Sequence, residues 1–97
     1  MSCPGVARKY DICTGHGCFP PRPNAMWSPD VFANDRNVHR QTDAWQAHCW
    51  GPVCHGGTLA KGSPIVLVND LECARCGDPV TCGYFVMTCS PDVLAGG

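Results

Sequence analysis

At 97 residues the chain is long enough for one small domain and too short for two independent cores. A net charge of −1 with 15% charged residues excludes the basic footprint of a nucleic-acid binder, and no apolar run approaches the roughly 20 residues of a membrane-spanning helix. Nine Cys, eleven Gly and nine Pro suit short strands, tight turns and a core that needs covalent or metal support.

The N-terminal stretch MSCPGVARKYD lacks the apolar core of a secretory signal. That predicts synthesis in a reducing cytosol, where cysteines bind metal or fill space more often than they pair. Nine is odd, so at least one thiol stays unpaired within a monomer. Gly5 to Asp11 (GVARKYD) opens a pattern, apolar-x-Arg-x-x-Asp, that returns at Asn37 to Asp43 (NVHRQTD) and at Glu72 to Asp78 (ECARCGD). Its arginines, Arg8, Arg40 and Arg75, lie 32 and then 35 residues apart. After the first copy, the segment from Gly17 to Trp27, with Pro20, Pro21 and Pro23, is predicted to be irregular.

A second element recurs with the first, as Ser28-Pro29-Asp30-Val31, Ser63-Pro64-Ile65-Val66 and Ser90-Pro91-Asp92-Val93. The longest overlay sets SPDVFANDRNVHRQTD on SPIVLVNDLECARCGD without a gap. Within it Ile65 to Val68 is the clearest strand. Asn34-Asp35 and Asn69-Asp70 stand where a tight hairpin turn belongs, because Asn and Asp tolerate left-handed backbone angles. The prediction is an all-β single domain over 1–97, of short β-hairpins packed about a pseudo-threefold axis.

The overlay also weighs the pair Cys73 and Cys76 in ECARC. Cys73 shares a column with Val6 and Val38, an apolar position where Cys serves as a small hydrophobe. Cys76 shares one with Lys9 and Gln41, which are poor metal ligands. Packing is therefore expected of this pair rather than a zinc knuckle. Arg8, Arg40 and Arg75 are expected to hold the hairpins by pairing with Asp11, Asp43 and Asp78, since active sites seldom recur with every unit of one small domain.

Metal chemistry is expected elsewhere. His16 follows Asp11 by five residues, His48 follows Asp43 by five, and Cys82 follows Asp78 by four. His55, seven past His48 in HCWGPVCHGG, completes a set of four. Three His and one Cys around a tetrahedral ion make a closed structural zinc site; iron also tolerates such donors, but geometry and availability favour zinc. His39 lies in the column of Ala7 and Ala74 and is expected to pack or to face solvent. Cys13, Cys18, Cys49 and Cys54 flank the four donors as competing ligands or as disulfide partners, and spacing does not choose between these fates.

Gly5-Val6-Ala7-Arg8, Asn37-Val38-His39-Arg40 and Glu72-Cys73-Ala74-Arg75, the SPxV strands and His55-Gly56-Gly57 together resemble the PAAR-repeat proteins, from Pro4 to Gly97. Val or Cys replaces the usual small residue before Ala-Arg, and His39 replaces Ala once. The resemblance implies a non-enzymatic cone that caps a trimeric β-helical spike, one tip per spike trimer. Such cones pierce an outer membrane from a contractile phage baseplate or from a type VI secretion spike, and the short chain looks most like a phage spike tip. It also implies one zinc near the apex, on the matching positions His16, His48, His55 and Cys82. The base of the cone would present apolar residues drawn from Val31, Phe32, Val66, Val68, Val93 and Leu94. Two other readings compete: a zinc-binding adaptor using Trp27, Trp45 and Trp50, and a redox enzyme or metallohydrolase, which would need an open ligand position or a reactive dithiol. No nucleic acid and no small-molecule substrate is expected.

Overall fold

The computed structural model describes residues 3–15, 20–81 and 83–97. Its strands, in chain order, are β1 (Phe32–Ala33), β2 (Arg36–Asn37), β3 (Ala44–Trp50), β4 (Val53–Thr58), β5 (Leu67–Val68), β6 (Leu71–Glu72), β7 (Pro79–Val80) and β8 (Tyr84–Phe85). They pair as four antiparallel two-stranded sheets, β1-β2, β3-β4, β5-β6 and β7-β8. The fold is all-β, built of short hairpins.

The β1-β2 and β5-β6 hairpins turn at Asn34-Asp35 (φ 53° and 62°) and Asn69-Asp70 (φ 52° and 65°). Left-handed angles at both central positions define the turn whose twist matches a two-residue hairpin. Their registers are equivalent: Phe32 faces Asn37 and Ala33 faces Arg36, as Leu67 faces Glu72 and Val68 faces Leu71. The longest hairpin, β3-β4, has an irregularity between Trp45 and His48. In residues 20–27 the ladder contacts are isolated bridges, Pro23 with Ile12 and Asn24 with Trp45, which suits a proline-rich segment short of backbone donors.

The three Arg segments meet at the centre. The Ala7 N–H donates to the Ala74 carbonyl (2.8 Å), Ala74 to His39 (3.0 Å) and His39 back to Ala7 (3.0 Å), closing a cycle. Around it Val6 bridges Arg75, Val38 bridges Arg8 and Cys73 bridges Arg40. Strand alternation then sends neighbouring side chains to opposite sides. Val6, Val38 and Cys73 join Ala33, Val68 and Ala95 in one apolar cluster. Ala7 and Ala74 join Cys13, Trp45, Leu59, Val80, Tyr84 and Val86 in another.

A third hairpin-like unit is shared between the chain's two ends. Gly5 bridges Leu94, the Ala95 N–H donates to the Pro4 carbonyl (3.1 Å) and the Val6 N–H to Val93 (2.8 Å). The last contact matches Val38 to Val31 (2.9 Å) and Cys73 to Val66 (3.0 Å) in the two continuous hairpins. A Cβ on Gly5 would strike the Ser90 carbonyl, so glycine is what lets the two ends approach.

Cysteine pairing departs from the expectation for a reducing cytosol. Cys49 is bonded to Cys54, and Cys76 to Cys89. Cys73 is a buried free thiol inside an apolar cluster, whereas its neighbour Cys76 is cross-linked rather than simply packed. Column identity described Cys76 but not what lies opposite it in space.

Candidate functional site

Two regions carry candidate function, the His48–His55 pair and an apolar face. His48 on β3 stands directly opposite His55 on β4. Their rings stack with centroids 5.4 Å apart and planes 24° apart, and the Tyr84 ring meets His48 edge-on at 4.3 Å. His48 and Tyr84 are buried, and His55 is half-buried. The His48 Nδ1–H donates to the Pro20 carbonyl (2.5 Å), because a carbonyl oxygen can only accept. That bond leaves the lone pair on Nε2, the arrangement a metal-ligating imidazole uses. Cys13 Sγ lies 3.7 Å from Nε2 and accepts the Arg22 N–H at 3.3 Å.

The next residues along the hairpin point the other way. Cys49 and Cys54 are exposed and bonded to each other, so they do not compete for the face that His48 and His55 share. His16, Cys18 and Cys82 lie outside the described residues. Among the described residues no three His, Cys, Asp or Glu side chains converge as a metal site. Of the four donors picked from the sequence, the structure therefore places two, side by side.

His39 is fully buried, donating from Nδ1 to the Met26 carbonyl (2.7 Å) and meeting the Trp45 ring edge-on at 4.8 Å. Burial drives its pKa down from 6.5 to about 4, so the ring is neutral near pH 7.

The three Arg–Asp pairs form the same clamp. Arg8, Arg40 and Arg75 each donate Nε and the backbone N–H to Oδ2 of Asp11, Asp43 and Asp78, with Nε distances of 3.1, 2.8 and 3.1 Å. Nη2 reaches Oδ1 in each (3.3, 2.9 and 3.1 Å). The remaining fork nitrogen, Nη1, donates to Asn34 Oδ1, Asn69 Oδ1 and the Gly96 carbonyl respectively. The same three acceptors also receive the hydroxyls of Ser90, Ser28 and Ser63. Gly96 thus supplies from its backbone what Asn34 and Asn69 supply from side chains.

Each of those serines also accepts the backbone N–H groups two and three residues ahead, folding every Ser-Pro-x-Val into the same turn. The turn projects Phe32, Leu67 and Leu94, equivalent residues that are 57, 56 and 53% exposed. Val66 and Val93 beside them are also open to solvent, and Val31 is half-buried against the apolar cluster. Val68, expected at the base, is instead buried, because the residue after Leu67 faces the other way. Leu67, which shares its column with Phe32 and Leu94, is the exposed member of this pair of neighbours.

The model of the PAAR motif family matches residues 2–88, and no curated protein matches the chain.

Proposed function

The chain belongs to the PAAR motif family, a family of structural, non-catalytic modules whose members generally cap a trimeric spike, and from that premise we propose that this protein is the sharpened tip of a membrane-piercing spike. Its three hairpin units are related by a pseudo-threefold axis through the Ala7–Ala74–His39 cycle, which lets one chain match the end of a homotrimer. The observation that carries the reading is the set Phe32, Leu67 and Leu94: three equivalent, exposed apolar residues, one per unit. Seated on a β-helix, this face would cover strand edges that otherwise pair indiscriminately.

The opposite pole is the metal-pinned point. His16, His48, His55 and Cys82 would hold one zinc ion, and such a closed site would cross-link loops that a core this small cannot fix alone. Support comes from the paired imidazoles and the Nε2 lone pair of His48. The mechanical role follows: a stiff point concentrates the force of tail contraction on a small area of outer membrane. The machine is the contractile tail baseplate of a phage, with the chain made in the host cytoplasm; a type VI secretion spike is the alternative setting, and family members are typically found in one or the other.

Native mass spectrometry of the protein with its trimeric β-helical spike tests the reading. One tip per three spike chains is expected, and a 3:3 complex would overturn the capping geometry. Elemental analysis is expected to find one zinc per chain, lost in His48→Ala and in Cys82→Ser but kept in Cys73→Ser. Zinc kept in the first two and lost in the third would move the metal to the Cys73 segment.

A further inference from the structure

The residue after each clamp arginine and the residue before each Ser-Pro turn occupy corresponding positions in the three units: Lys9 with Trp27, Gln41 with Gly62, and Cys76 with Cys89. In the first unit the Lys9 ammonium sits 4.6 Å from the Trp27 ring centroid. In the second, Gln41 donates to the Ala60 carbonyl at 3.2 Å, and Gly62 has no side chain to offer. In the third the pair is covalent. Cys89 opens the hairpin-like unit without a continuous turn, whereas Cys76 follows the β5-β6 hairpin, so the bond joins the two. The outer strand of the unit without a turn, Ser90 to Gly96, is a chain end held to Pro4–Val6 by backbone hydrogen bonds, and to Arg75 and Ser63 through the Gly96 carbonyl.

We propose that the Cys76–Cys89 disulfide is a redox-sensitive lock on this C-terminal arm, tying the unit that lacks a turn of its own to the end of the second hairpin, where the Cys76 N–H already donates to the Gly5 carbonyl (3.0 Å). Cys89 directly precedes Ser90, so the cross-link anchors the arm at its root, and both sulfurs belong to half-buried residues within reach of small thiols. Closing the lock is an exchange with a small disulfide of the glutathione class. One cysteine thiolate attacks it and expels one thiol; the second cysteine then displaces the other. One disulfide is consumed, one is formed, and the two cysteine protons leave on the two released thiols. In a reducing cytosol the arm is open, and it locks once the protein meets an oxidising medium. Val93 and Leu94 ride on the arm, so one third of the apolar face is rigid only after oxidation. That consequence rests on the docking role of the face, whereas the lock itself does not.

Hydrogen exchange on the free protein separates the two. In Cys89→Ser the amides of Val6, Ser90 and Ala95, which bond across the third unit, are expected to exchange at least tenfold faster, while those of Val38 and Cys73 keep their protection. Should Cys89→Ser fail to fold, a Cys49→Ser/Cys54→Ser variant treated with a phosphine reductant opens the same bond with no contribution from the β3-β4 cross-link and is expected to give the same pattern. Unchanged exchange at all three arm amides, or equal acceleration at all five, would refute the lock. Peptide mapping that found Cys89 bonded to Cys3 rather than Cys76 would refute it as well.

Discussion

Arg40 illustrates why three arginines recur where three lysines would not serve. Its fork donates twice to Asp43 and once to Asn69, and those hydrogen bonds to Asp43 raise its already high pKa. Arg40→Lys keeps the charge but cannot present a planar fork, and the expected cost is about 1–3 kcal/mol by urea denaturation. A change below about 0.5 kcal/mol would mean that the clamp behaves as a surface ion pair. His39 gives a pH signature of its own. Its folded pKa of about 4 lies below the free value of 6.5, so between these values the unfolded chain binds the extra proton. Stability from this group is complete above pH 6.5 and falls as pH drops toward 4, by on the order of 3 kcal/mol. Thermal melts of His39→Ala and the parent protein should therefore converge as pH is lowered through this window, and parallel curves would contradict the burial argument.

Among the elements, the two continuous hairpins depend on non-glycine residues with left-handed angles. Asp70 is exposed at φ 65°, where an L side chain is strained. Asp70→Gly makes the preferred Asn-Gly turn, and a gain of about 0.5–1 kcal/mol is expected in denaturant titration. Asn69 would not tolerate the same change, because its Oδ1 accepts from both Ser28 and Arg40. The hairpin turns were legible in the sequence because turn chemistry is local. The pairing of His48 with His55 was legible only as proximity, since register and the facing of each side chain depend on the irregularity in β3. The outward Cys49–Cys54 pair follows from the same alternation, which no spacing rule supplies.

On the scale of the whole molecule, the apolar face is the feature with a partner to seek. Leu67→Asp places a charge where a dry interface is proposed, and spike binding is expected to fall at least a hundredfold with the free protein's melting temperature little changed. Binding that survived both Leu67→Asp and Leu94→Asp would assign docking to another face. The repeat itself, its apolar column and its Arg–Asp pairs were determined by the sequence alone, because each is a local pattern repeated three times and so checks itself; the two Asn-Asp turns were determined because turn chemistry is local. The tertiary structure alone decided three things: that the two chain ends build the third unit, that Gly96 replaces a turn asparagine, and that Cys76 meets Cys89. Each joins residues whose meeting depends on how the units close around the central cycle, and a column alignment records equivalence between positions without recording what stands opposite them.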